Sequence, residues 1–238
     1  MAQVINTNVG ALFAGAALNK SAIALQTAQQ RLSSGLRINS AADDATGLSI
    51  ATGYDSKIRG ANMNIRNAND GISKAQISDG YLAQITENTQ RLREIYVQTG
   101  AITNQEAVAL KNENTRISGL VTASTAVTVD ESGGTAGGTG GTFTAATSFS
   151  NLAAFDTELT AIGTARAKFG ADMASLASAV ATLQTASVNY SASYSRVMDT
   201  DYAAETSAQA KNNILQQAGT AVLAQANQTP QTVLTLLR

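Results

Sequence analysis

The chain has 238 residues, 44 % of them hydrophobic, a formal net charge of −1, and neither histidine nor cysteine. That composition excludes His- or Cys-ligated zinc and haem, histidine acid–base catalysis, thiol nucleophiles and disulfides, and it gives no field to draw nucleic acid or an anionic membrane. Aromatics make up only 5 %, tryptophan is absent and Pro230 is the sole proline, which points to long helices separated by thin layers of Ala, Leu and Ile.

The N-terminal stretch MAQVINTNVGALFAGAALNK has no basic region and no long apolar core, so it reads as neither a Sec signal peptide nor a membrane span. Residues 4–36 place Ile5, Val9, Leu12 and Ala16, then after a phase shift Leu18, Ala22, Leu25 and Leu32, on a mildly amphipathic helix. In the polar stretch 39–44, Asn39, Ser40 or Asp43 is suited to cap the next helix. That helix runs from the mid-forties to about Gln98 in two registers, Tyr54 to Ile72 and Ile77 to Ile95, and the step of five between them marks a register change. A shorter helix follows from Asn104 to about Ser124.

The middle reads differently. Residues 126–130 alternate like a strand, SGGTAGGTGG (132–141) reads as a flexible linker, and Thr142-Phe143-Thr144 reads as a returning strand. A phosphate-binding loop is excluded there, because no Lys follows the glycines. From Leu152 to Val197 apolar residues recur at threes and fours: Leu152, Phe155, Leu159, Ile162, Phe169, Met173, Leu176, Val180, Leu183, Tyr190, Tyr194, Val197, interrupted only by Arg166 and Ser187. This is a coiled-coil seam, roughly 70 Å long at 1.5 Å per residue. A last helix from about Ala203 carries Ile214, Leu215, Ala218, Val222 and the apolar end around Leu236.

The order is nearly palindromic, so first helix should lie on last and second on fourth. The expected fold is all-α, a long coiled-coil helical rod or hairpin with a small central β-hairpin or Gly-rich loop. Its expected domains are a discontinuous terminal-helix pair, 1–40 with 200–238, and a helical bundle, 41–199, with the loop at 126–149.

Several blocks resemble bacterial flagellin: MAQVINTN (1–8), RLSSGLRINSAADDATGLSIA (31–51), NIRNANDGISKAQ (64–76), QRLREIYVQ (90–98), SRVMDTDYAAET (195–206) and NILQQAGTAVLAQANQTPQTVLTLLR (213–238). Two stretches depart from the family pattern, TASTAVTVDESGG (122–134) and ADMASL (171–176). The resemblance implies a short flagellin without outer variable domains. Such a subunit polymerises into the helical filament of the flagellum and serves motility, with no enzymatic activity and no cofactor. It implies extracellular localisation after flagellar type III export without a cleaved signal. It also implies an export chaperone, cap and hook-associated proteins as partners, with no nucleic acid and no membrane insertion. A hook–filament junction or minor filament protein, an adhesin and a secreted innate-immune ligand are the alternatives.

On this reading the terminal helices are frayed in the monomer, and assembly buries Ile5, Leu12, Leu25, Leu32, Ile214, Leu215, Val222 and Leu236. Asn39, Asp43 and Asp44 make caps or intersubunit polar contacts in the connecting segment. Gln90, Arg91, Arg93, Glu94 and Ile95, with Glu113 on the following helix, match the family's Toll-like receptor 5 contact; they also suit contact with a neighbouring subunit.

Overall fold

The computed structural model describes residues 7–129 and 134–236, with side chains as far as Gln228. These form five helices, α1 (Val9–Ser34), α2 (Ala45–Thr99), α3 (Gln105–Ser118), α4 (Leu152–Met198) and α5 (Tyr202–Leu236), and two short strands, β1 (Val127–Thr128) and β2 (Thr135–Ala136). The chain divides into two packing units. One joins residues up to Asp55 with those from Ala192 onward; the other is Ser56–Ser191.

In the first unit α1 and α5 pair antiparallel. The Asn8 side chain accepts from the Ala11 N–H at 3.1 Å, capping α1, and donates to the Ala226 carbonyl at 2.8 Å near the far end of α5. At the other end Arg31 faces Glu205 at 3.7 Å, and the Tyr202 hydroxyl donates to the Leu32 carbonyl at 3.3 Å. Gly35, at φ 73°, closes α1 by donating to Arg31 O at 2.8 Å, the left-handed glycine stop that an L side chain resists. Beyond it a single antiparallel bridge joins Leu36 to Asp199, with Arg37 N–H on Met198 O at 2.6 Å. Ile38, Ala51 and Met198 form a small buried core beneath this crossing.

In the second unit α2, α3 and α4 share one apolar seam. Ala75, Leu82, Ile85, Ile117, Val121, Ile162 and Phe169 make its central cluster; Leu92, Ile95, Ala107, Phe149 and Phe155 make another. Several sequence expectations are corrected here. The seam of α2 shows no register change between Ile72 and Ile77. It runs on in phase through Ala68, Gly71, Ala75, Ser78, Leu82 and Ile85, all buried, while Ile77 is exposed. The reason is steric: α4 approaches so closely at Gly71 that a Cβ there would stand 3.1 Å from the Leu176 side chain, so small residues replace large apolar ones.

Helix α3 ends at Ser118, not near Ser124. Past Gly119 the backbone finds partners outside the helix: Thr122 O accepts from the buried Ser78 hydroxyl at 3.1 Å, and Ser124 N–H donates to Gly140 O at 2.8 Å. Val121 turns into the core.

The strand expected at 142–144 is not formed. Val127 pairs with Ala136 and Thr128 with Thr135. Gly137 and Gly138, at φ 77° and 84°, then turn the chain off the ladder. Nor do the described glycines of 132–141 read as a flexible linker: residues 137–140 lie against α4, with the amides of Gly137, Thr139 and Gly140 donating to α4 side chains.

The ladder on α4 holds at every seventh position, where Phe155, Ile162, Phe169, Leu176 and Leu183 are buried. The intervening positions face differently from the ladder read in sequence. Glu158, Asp172 and Ala179 are buried, whereas Leu159, Arg166, Met173 and Val180 are half-buried. Arg166, a break in the ladder, forms a two-pronged pair with Asp79 of α2 at 2.8 and 3.3 Å.

Candidate assembly surfaces

The α1–α5 pair carries its apolar residues in an unusual order. Facing inward on α1, Ala14 and Ala28 are buried and Leu18, Leu25 and Leu32 half-buried. The half-buried stripe of α5 runs through Ala208, Asn212, Gln216, Gly219, Leu223 and Ala226, spaced at threes and fours. Facing outward are larger apolar groups: Val9, Leu12, Phe13 (78 % exposed) and Ile23 on α1, with Ile214 (65 % exposed), Leu215 and Val222 on α5. A helix pair normally buries its largest apolar side chains first, because each removes the most apolar area from water. Here the fully buried residues of α1 in the joint are Ala14 and Ala28, its leucines are only half-buried, and seven large apolar groups are presented to solvent. Single exposed apolar residues need no explanation, but a row of seven along two paired helices marks an association surface.

Of the terminal-helix residues singled out in the sequence, Leu12, Ile214, Leu215 and Val222 lie on this outward surface. Leu25 and Leu32 are half-buried, and Ile5 and the Leu236 side chain lie outside the described residues. Sequence reading missed Phe13 and Ile23. They fall off the stripe that periodicity marks as inward, and that departure was the available signal.

The connecting segment is built by two aspartates with separate tasks. Asp44, not Asn39, Ser40 or Asp43, caps α2: its Oδ1 accepts from Gly47 N–H at 2.8 Å, and its carbonyl accepts from Leu48 N–H at 3.0 Å. Gly47 is required because a Cβ would overlap the Asp44 carboxylate and Ile38. Asp43 closes the preceding turn, accepting from the N–H groups of Ser40 (2.9 Å) and Asn39 (3.1 Å) and from the Ser40 hydroxyl (3.1 Å). Those hydrogen bonds, Ser40 foremost, hold its carboxyl below the usual range. Asn39 lends its backbone to this turn and stays exposed.

In the second unit, Gln90, Arg91, Arg93 and Glu94 line a shallow groove with Val97, Gln98 and Leu159. Arg91 donates to Glu106 at 2.8 Å and Glu94 at 3.0 Å, and Arg93 reaches Asp156 at 3.3 Å. These carboxylates, Glu106 above all, hold the Arg91 guanidinium yet more firmly protonated. Glu113 pairs instead with Arg116 of its own helix, at 2.5 Å, which lowers its carboxyl. Ile95 stands apart from the group. It is 3 % exposed and packs with Leu92, Ala107 and Phe155, supporting the surface from beneath.

Long helices towards both ends of the chain, capped at Asn8, Asp44 and Asp201, with an outward apolar row, are the make-up of a protein of association. Comparison with known proteins agrees. Residues 5–136 match the model of the bacterial flagellin N-terminal helical region, and residues 152–237 that of the C-terminal helical region. The chain belongs to the bacterial flagellin family. Among curated relatives, the flagellin of Salmonella typhimurium and the phase 2 flagellin of the same organism are each 54 % identical over 107 residues; that of Escherichia coli K12 is 52 % identical over the same length. Each match covers 45 % of this chain and 21–22 % of the relative, so it takes in about a fifth of the relatives' length.

Proposed function

We propose that this chain is a structural subunit that polymerises into the helical filament of the bacterial flagellum and serves motility. The observation that carries the reading is the outward apolar row of α1 and α5, which stays exposed among the described residues. Helices whose joint leaves its leucines half-buried gain little from pairing, and isolated helices are marginal in water. Neighbouring subunits supply the missing burial, ordering terminal segments that fray in the monomer. Subunit contacts that do not close into a ring yield an open helical polymer.

The family supports the rest of the proposal. The subunit is extracellular, leaves the cell through the flagellar type III system, and is held at α5 by an export chaperone until then. Cap and hook-associated proteins meet the growing filament. The exposed face of Gln90, Arg91, Arg93 and Glu94 is the surface for a neighbouring subunit, and on the free monomer for Toll-like receptor 5. Electron microscopy of purified monomer incubated with short filament seeds tests the central claim. Long uniform filaments are expected from the intact chain and none from a version lacking residues 1–20. An intact chain that stays monomeric beside active seeds would defeat it.

A further inference from the structure

Residues 137–149 cross the face of α4 as a strap whose backbone is held by side chains. Gly137 N–H donates to Ser175 Oγ at 3.1 Å. Thr139 N–H reaches both oxygens of Asp172 at 3.1 and 3.0 Å, and Gly140 N–H donates to Asp172 Oδ2 at 2.7 Å. The Thr139 hydroxyl donates to Oδ1 at 2.5 Å, and the Ser124 hydroxyl donates to Oδ2. Further along, Ala146 N–H donates to Glu158 Oε1 at 2.9 Å. Asp172 and Glu158 are 1 % and 9 % exposed and stand two heptads apart on the buried side of α4.

Beneath the strap lie the largest residues of the seam. Gly140 fits only because it lacks a Cβ, which would overlap the Phe169 ring, and Phe149 stacks on Phe155 with ring centroids 4.3 Å apart. The helices are secured by their own backbone ladders and by the three-helix seam. The strap's attachment runs instead through two carboxylates, the serines Ser124 and Ser175, one backbone bond from Ser124 N–H to Gly140 O and a few apolar contacts, so its opening is a smaller event than unfolding of the unit.

We propose that residues 137–149 form a separately releasable cover over the α4 seam, seated by two carboxylate pegs, with Asp172 as the residue that keeps it closed. The two pegs differ in chemistry. Glu158 receives one backbone N–H, and a glutamine amide oxygen accepts that bond equally well. Asp172 receives donors on both oxygens, and asparagine would turn an NH₂ group toward some of them. Glu158→Gln therefore preserves the seat, and Asp172→Asn breaks it.

Amide hydrogen exchange on the full-length monomer, resolved to single residues, tests this. In the native protein Thr139, Gly140 and Ala146 should be protected. Asp172→Asn should speed exchange at Thr139 and Gly140 by about ten- to a hundredfold, while Ile85 and Ile162 in the helices keep their native rates. Glu158→Gln should leave Ala146 within a few-fold of native. Unchanged protection at 139–140 in Asp172→Asn would overturn the proposal. So would equal loss at Ile85 and Ile162, or loss of helical circular dichroism in Asp172→Asn, since the strap would then be inseparable from the bundle. A large acceleration at Ala146 in Glu158→Gln would remove the second peg.

Discussion

Single polar groups do more to fix this molecule's local geometry than its charge count suggests. Asp43 illustrates the sign of the effect. Its carboxyl is held below the ordinary 3.8 by donors from Ser40 and Asn39, so the turn's contribution is present above the unfolded value and lost as pH falls through the lower folded one. Carboxyl-carbon NMR should place its midpoint below 3.8, and Ser40→Ala, which removes the hydroxyl donor and keeps the two backbone ones, should raise it part of the way. A midpoint already at the ordinary value would show that the turn is not formed in solution. A second residue pair lies in the bundle, where the Asn88 amide donates to Asn114 Oδ1 at 2.9 Å and Asn114 donates to the Thr89 hydroxyl at 3.3 Å. Asn114→Leu alone should cost ~1–3 kcal/mol, because it strands the Asn88 donor. The double change to leucine at 88 and 114 should cost less than Asn114→Leu alone, as urea unfolding of the four cycle members would reveal.

The elements follow from seam chemistry, and here sequence and structure can be weighed against each other. The bounds of α2 and α4 were legible because no proline interrupts them and large apolar residues recur at threes and fours over many turns. The pairing of α1 with α5 was legible from the palindromic order. What periodicity of large residues could not convey was a seam made of small ones: Gly71, Ala75 and Ser78 carry α2 through the stretch that looks like a register break. Nor could it show that Glu158 and Asp172 belong to the buried face of α4, since their partners are backbone amides from a segment whose glycines resemble a linker. Of the outward apolar row, Leu12, Ile214, Leu215 and Val222 had been singled out in sequence. Phe13 and Ile23 were not, because amphipathicity was read as pointing the large residues inward.

Helix glycines supply an element-scale prediction. A Cβ at Gly80 of α2 or Gly163 of α4 would meet no atom within 4 Å, whereas one at Gly71 would press on Leu176. Gly80→Ala and Gly163→Ala should each stabilise the protein by ~0.5–1 kcal/mol through helix propensity. Gly71→Ala should gain less or nothing, and Gly71→Leu should lose ~1–3 kcal/mol by overpacking. Thermal unfolding monitored at 222 nm ranks the four; a Gly71→Ala protein more stable than Gly80→Ala would contradict the close approach of α2 and α4.

At the scale of the whole molecule, the proposed function separates folding from assembly. Phe13 and Ile214 project from the protomer, so Phe13→Ser and Ile214→Ser should leave monomer stability within ~0.5 kcal/mol. Each removes a side chain whose burial by a neighbour is worth ~1.5–3 kcal/mol, so seeded elongation should demand about a tenfold or greater rise in free subunit concentration. Growth rates measured by light scattering across a dilution series would show this. Elongation at the native concentration in both variants would place the subunit contacts elsewhere on the chain.

The joint between α1 and α5 has one further consequence. Leu18, Leu25 and Leu32 of α1 and Asn212, Gln216 and Leu223 of α5 stand in it among small residues, Ala14, Ala28, Ala208, Gly219 and Ala226. Among the described residues its polar catches lie at the two ends. The Asn8 amide catches the Ala226 carbonyl at one end, Arg31 and Tyr202 hold the other, and Leu18 seats in the gap at Gly219, where an added Cβ would stand 3.1 Å from its methyl. A slide of one heptad would forfeit all of these catches together. Ends and gap thus index the two helices lengthwise, and a substitution at Gly219 alone would disturb the mark at Leu18 while leaving those at the two ends.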